Sequence, residues 1–141
     1  MIKIKIKKLI KDAKLPFRAH SGDAGFDVFS CEDFELKPGK RHAFRTGIAL
    51  SIPAGYALLV WDKSGLSANF GIKTMAGVID SGFRGECKIV LLNVGQKSYK
   101  IRKGDKIAQL LLQKIEDAEI EEVKELDKTE RGDRGFGSTG R

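Results

Sequence analysis

The sequence predicts an all-β fold, a sandwich, barrel or jelly roll, on three observations. Apolar residues alternate with polar ones over short runs, the period of half-buried strands. The runs are closely and regularly spaced, and Gly, Pro, Asp and Ser interrupt them as turn residues do. No long stretch carries a clear helical stripe. At 141 residues, 41% hydrophobic and 32% charged, the chain fits one globular domain with a sizeable core.

Taken in order, Ile2, Ile4 and Ile6 alternate with Lys3, Lys5 and Lys7 and predict a first strand. "LPFRAHSGDAG" is a loop, after which Phe26 and Val28 resume strand spacing. Pro38 and Gly39 in "LKPGK" form a turn. "HAFRTGIALSIPAGYALLVWDKSG" reads as two strands broken at "PAG". "SGLSANF" is expected to make one or two helical turns. "GIKTMAGVIDSGFRGECKIVLLNVG" predicts a hairpin followed by a further apolar strand, and "YKIRKGDKIAQLLLQKI" two strands around the "KGD" turn. "EDAEIEEVKEL" has helical propensity but alternates Ile120, Val123 and Leu126 with charge, and is read as a strand. The last eleven residues, "RGDRGFGSTGR", hold no apolar pattern and predict a flexible, glycine-rich C-terminal arm. The division expected is a β domain over 1–127 and the arm over 128–141.

A net charge of +7 points to an anionic partner: nucleic acid, a nucleotide or an acidic surface. Solvated lysines account for the same excess, so charge names candidates without choosing among them. No apolar run reaches membrane-span length, and "MIKIKIKKLI" lacks the continuous apolar core of a signal peptide, which predicts a cytoplasmic protein. Cys31 and Cys87 lie in no metal-ligand spacing and are expected to be reduced, partly buried thiols.

Five glycine-marked segments stand out: "AGFDV", "WDKSGLS", "GVIDSGFRGE", "GDKIAQLLL" and "RGDRGFGSTG". Each sets an acid, hydroxyl, amide or cation beside a glycine. Glycine lets backbone N–H groups approach an anion closely, and successive N–H groups can cradle phosphate oxygens. Singly, "KSG" and "GDK" are ordinary turns and "AGFD" an ordinary strand start. Together, in order and spacing from Ala24 to Gly140, they resemble the five motifs of the homotrimeric dUTPase family, related to dCTP deaminase. "GVIDSGFRGE" and "RGDRGFGSTG" are the specific ones.

The resemblance implies a distorted jelly-roll or β-barrel of the β-clip type. It implies a dUTP diphosphatase that releases dUMP and pyrophosphate, limiting uracil in DNA and supplying dUMP for dTMP synthesis. Asp80 becomes the general base that deprotonates a water attacking the α-phosphorus, a role open to a carboxylate that holds the water in line with the leaving group. Phe83, where the family most often has tyrosine, would lie beneath the deoxyribose and exclude a 2′-hydroxyl. An unpartnered hydroxyl costs roughly 1–3 kcal/mol on burial, so an apolar ring filters against UTP. Gly77 and Ile79 would offer main-chain groups to uracil, with Thr74 where bacterial relatives often carry asparagine.

Lys63, Ser64 and Gly65 correspond to a segment that usually opens with arginine and would bind the scissile phosphate region. Lysine keeps that charge without the planar fork. Gln109 would donate its amide to the α-phosphate. Asp27 would act through water on Mg²⁺ or brace neighbouring cations. Mg²⁺ itself keeps several waters and few protein ligands, so the triphosphate would chelate it and no direct protein ligand is named. Arg84 and Glu86 are expected to make structural ion pairs.

In the arm, Phe136 would stack on uracil, worth roughly 1–3 kcal/mol, while Arg131, Gly137, Ser138 and Thr139 surround the β- and γ-phosphates. Arg134 stands where glycine is common. The implied partners are dUTP and two further copies of the chain, with active sites shared between subunits, and neither a stable nucleic-acid complex nor a membrane. Three other readings stay open at this level. A dCTP deaminase would use Glu86 as its proton shuttle, a nucleic-acid-binding barrel would use the basic first strand and the tail, and a catalytically dead relative would use none of these groups.

Overall fold

The computed structural model describes residues 1–137 and 139–140. Among these residues, ten strands and one short helix follow in the order β1 (Lys5–Lys8), β2 (Phe26–Phe29), β3 (Phe34–Leu36), β4 (Arg41–Ser51), β5 (Tyr56–Trp61), α1 (Ser64–Phe70), β6 (Ile72–Met75), β7 (Val78–Ile79), β8 (Glu86–Asn93), β9 (Tyr99–Ile101) and β10 (Lys106–Lys114). All pairings are antiparallel. One four-stranded sheet runs β1-β4-β8-β6, a second runs β2-β10-β5-β7, and β3 pairs with β9 at the side.

The core lies between the two four-stranded sheets, because alternate residues of each strand turn inward. On β8, Cys87, Ile89, Leu91 and Asn93 are buried while Lys88 faces out. Phe44 and Ile48 on β4, Leu58 on β5, and Ile107 and Leu110 on β10 meet them in one cluster. Asn93 is fully buried, yet its amide donates to the carbonyls of Leu36 and Lys97, both at 2.8 Å, and accepts from the Gly95 amide. A buried amide with its bonds made costs little, and this one fastens the β3-β9 pair to the main body. Burial pushes the Cys87 thiol up to about 12, and both cysteines are free, as the sequence implies.

Three expectations are corrected. The first strand starts at Lys5, since Ile2 is exposed and only Ile4 and Ile6 reach the body. "GIKTMAGVID" is no hairpin: β6 pairs with β8 and β7 with β5, so the chain crosses from one sheet to the other. The corner is made by Ala76 at φ 59°, a left-handed conformation unusual for a side-chain-bearing residue. Finally, 116–126 forms neither strand nor helix. Alternation makes a strand only beside a ladder partner, and Ile120, Val123 and Leu126 find no such partner and are exposed. The one helix falls where expected and ends at Gly71, whose φ of 68° closes the last turn.

Candidate active site

The second sheet gathers three of the glycine-marked segments at one end. Asp27 on β2 faces Gln109 on β10, and Gln109 faces Trp61 on β5, so the segment 63–65 begins beside this row. Asp27 is only 4% exposed, which an unpaired carboxylate would not tolerate. Its Oδ1 lies 2.5 Å from Lys63 Nζ and its Oδ2 2.8 Å from Lys106 Nζ. Burial alone would raise its pKa, but the two ammonium groups outweigh that and hold it below the usual carboxylate value. Of the two roles expected for Asp27, bracing neighbouring cations is the one this geometry supplies.

Gln109 is fixed just as closely. Its Nε2 donates to the Asp62 carbonyl at 2.9 Å, leaving the second N–H of that amide for another acceptor. Gly25 gives it room: a Cβ there would sit 2.4 Å from Gln109 Oε1. The glycine of "AGFDV" is therefore explained by side-chain approach rather than by a special backbone angle. Ser64 and Gly65 follow at the exposed start of α1.

Asp62 is the neighbour of these groups that sequence reasoning missed. Its Oδ1 accepts from the Thr74 amide at 2.6 Å and from the Thr74 hydroxyl at 2.7 Å, and its Oδ2 pairs with Lys73 at 2.6 Å. Burial opposes ionisation, but Lys73 and Thr74 together hold its pKa low. One residue thus ties the 63–65 turn to Thr74 on β6 and to Gln109 on β10. The available signal was the acid directly before "KSG".

The third segment forms a separate group. Asp80 and Phe83 are exposed and line a groove with Val78, Cys87 and Lys88. The Phe83 amide donates to the Asp80 carbonyl at 3.1 Å, making the "DSGF" turn. The Phe83 ring packs on Gly85, where a Cβ would come within 2.6 Å of it, and its other side stays open at 47% exposure. It is not a core residue. The Gly77 carbonyl accepts from the Val60 amide at 2.8 Å, and Ile79 pairs with Leu58. Ile79 is therefore three residues along β5 from the level of Gln109, about 10 Å at ~3.3 Å per residue, with Asp80 one step further. Within one chain Asp80 and the Lys63–Gln109 row therefore lie at different levels of the sheet.

Glu86 pairs with Arg45 at 3.2 Å and accepts from the Gly47 amide at 2.9 Å, which is the structural role expected of it. A carboxylate so engaged is poorly placed to shuttle protons. Arg84 differs from its expectation. It has no carboxylate partner among the described residues and instead donates to the carbonyls of Ser81 and Phe83 at 2.5 and 2.8 Å, stiffening the "DSGF" turn.

Beyond Glu116 the hydrogen bonds found among the described residues stay within the segment itself. Arg131 Nε donates to the Arg134 carbonyl at 2.9 Å and Arg134 Nε to the Arg131 carbonyl at 3.0 Å. Phe136 is fully exposed. Gly137 and Thr139 flank Ser138, which lies outside the described residues.

No group of three or more His, Cys, Asp or Glu among the described residues could hold a metal, and both oxygens of Asp27 face lysines. No helix among the described residues is long and apolar enough to cross a membrane.

The chain is similar to known proteins along nearly its whole length. A dUTPase family model matches residues 11–140. The deoxyuridine 5′-triphosphate nucleotidohydrolase of Corynebacterium glutamicum is 48% identical over 141 residues, 98% of this chain and 95% of that protein. The Clostridium kluyveri protein of the same name is 47% identical over 137 residues, 96% of each. Among solved structures, the Staphylococcus bacteriophage 80alpha dUTPase with dUpNHpp matches with a TM-score of 0.92 at 33% identity, covering 99% of both chains. A variant of the dUTPase from phage phi11 of S. aureus, described for its coordination of a structural Mg(II) ion, matches with a TM-score of 0.82 at 30% identity, over 87% of this chain and 97% of that one.

Proposed function

The chain belongs to the dUTPase family and is a dUTP nucleotidohydrolase, and from that premise we propose how its residues divide the reaction. Asp80 takes a proton from a water whose oxygen attacks the α-phosphorus. The bond from that phosphorus to the bridging oxygen breaks, pyrophosphate leaves, and dUMP remains. An exposed carboxylate at the rim of a groove can reach such a water, and Phe83 beside it offers an open ring face to the deoxyribose.

Lys63, Ser64, Gly65 and Gln109 bind the phosphates near the scissile bond. Gly77 and Ile79 present main-chain groups to uracil, and Thr74 holds that segment in place through Asp62. The arm from 128 to 141 closes over the nucleotide, with Phe136 on the base and Arg131, Gly137, Ser138 and Thr139 around the outer phosphates. Closure excludes water and aligns the triphosphate. Mg²⁺ enters as the counter-ion of the triphosphate, whose oxygens suit an ion that keeps several waters and takes few protein ligands. The cellular role proposed is removal of dUTP in the cytoplasm.

The observation that carries this division is the separation of the two groups. The Lys63–Gln109 cluster and the Asp80–Phe83 groove each look like half of a nucleotide site, and symmetry between copies joins such halves without lengthening the chain. We therefore assign the active site to the junction of subunits in a homotrimer. Pyrophosphate release from dUTP, UTP, dCTP and dTTP, with and without Mg²⁺, tests the reading. Turnover should be confined to dUTP and depend on Mg²⁺. Equal turnover of UTP would overturn the role of Phe83, and formation of dUTP from dCTP would point to the deaminase branch.

A further inference from the structure

We propose that Lys106 is a second phosphate-binding cation of the active site, acting with Lys63 across the Asp27 carboxylate. The inference rests on the placing of the phosphates at Lys63, Ser64 and Gln109.

Its geometric root is a bulge in β10. Gln109 faces Asp27 and Ala108 faces Val28, but Lys106 rather than Ile107 faces Phe29. A one-residue shift in register moves a side chain to the opposite face of a sheet. Without the bulge Ile107 would share the face of Asp27 and Gln109; with it Ile107 is buried in the core and Lys106 takes that face. The ring of Phe17, 5.4 Å from Lys106 Nζ, supports the ammonium group from the side.

The electrostatics then call for an anion. One buried carboxylate holds two ammonium groups, Lys63 at 2.5 Å and Lys106 at 2.8 Å, so the trio carries a net positive charge. Both lysine side chains remain partly open to solvent, at 30% and 41%, while the carboxylate between them is nearly sealed at 6%. Asp27 thus fixes the spacing of two partly exposed cations, each of which has further N–H donors to offer an anion. An arginine would present two such donors on one planar group; here two lysines on one carboxylate supply them.

The experiment compares Lys106→Met, Lys106→Arg and Lys63→Met in the full-length protein, measuring KM and kcat for dUTP and competition by pyrophosphate and by dUMP. Lys106→Met should raise KM and weaken pyrophosphate about tenfold, the lower end for one charged contact. It should change kcat less, and Lys106→Arg should restore most of the loss. Competition by dUMP should shift less than competition by pyrophosphate. If Lys106→Met lowers only the melting temperature while Lys63→Met raises KM, Lys106 is structural and the inference is overturned. If neither variant alters KM or pyrophosphate competition, the phosphate-site assignment falls, and the inference falls with it.

Discussion

Replacing Gly25 with alanine should cost activity far more than stability. The new Cβ would lie 2.4 Å from Gln109 Oε1, 3.0 Å from its Cβ and 3.1 Å from its Cδ, where ordinary contact begins near 3.4 Å. Gln109 must therefore move by about 1 Å at its amide end. Gly25 has no left-handed φ, so alanine adds no backbone strain there. The amide end of glutamine is flexible and can yield, and the fold loses one hydrogen bond, from Nε2 to the Asp62 carbonyl. That bond is worth about 1 kcal/mol, or roughly 4 °C in melting temperature for a chain of this size. Displacing a substrate-positioning group by about 1 Å can cost as much as 10²-fold in rate, so kcat/KM should fall about 10- to 100-fold. Steady-state pyrophosphate release and a thermal melt measure the two effects. On a Gln109→Ala background the same substitution should change kcat/KM little, because the displaced group is already gone. Wild-type kcat/KM in Gly25→Ala would refute the reasoning.

Two further outcomes follow from the arm and from the carboxylates. Truncation before Arg131 should leave the melting temperature within about 2 °C of the full chain, since segments without buried contacts add little stability, while kcat/KM falls sharply; an unchanged rate would overturn closure by the arm. Asp27, Asp62 and Glu32 are all held below the usual carboxylate value in the folded chain. The unfolded chain therefore binds their protons more readily. Their contribution is fully present above the unfolded pKa values, about 4, and is lost as pH falls through the folded ones. Urea unfolding between pH 7 and pH 3 should show that decline, and Asp27→Asn should flatten it.

Much of this molecule is legible from sequence because alternation and turn residues report local geometry. β4, β5, β8 and β10 fall within their apolar runs, and "SGLSANF" is the helix expected. Long-range pairing is less visible. Nothing local tells that β6 and β7 leave Ala76 for different sheets, or that Ile120, Val123 and Leu126 alternate without a partner strand. The site divides the same way. Gln109, Lys63 and Asp27 come together because their segments meet at one end of one sheet. Asp62 and Lys106 were overlooked because their importance lies in what they touch: one bridges to Thr74, and the other reaches Asp27 only through a bulge.

The proposed sharing of the site between subunits is tested most directly by mixing two impaired enzymes. Asp80→Asn removes the base from one half of the site and Lys63→Met a phosphate cation from the other, so each variant alone should turn over dUTP poorly at concentrations well below KM, where the mixture is assayed. Co-refolded at equal amounts, random trimers with one half-site from each neighbour would have about a quarter of their sites free of both lesions. Recovery of about a quarter of wild-type turnover is the result expected. If both halves come from one chain, every site keeps one lesion, and a mixture no more active than its components would contradict the account.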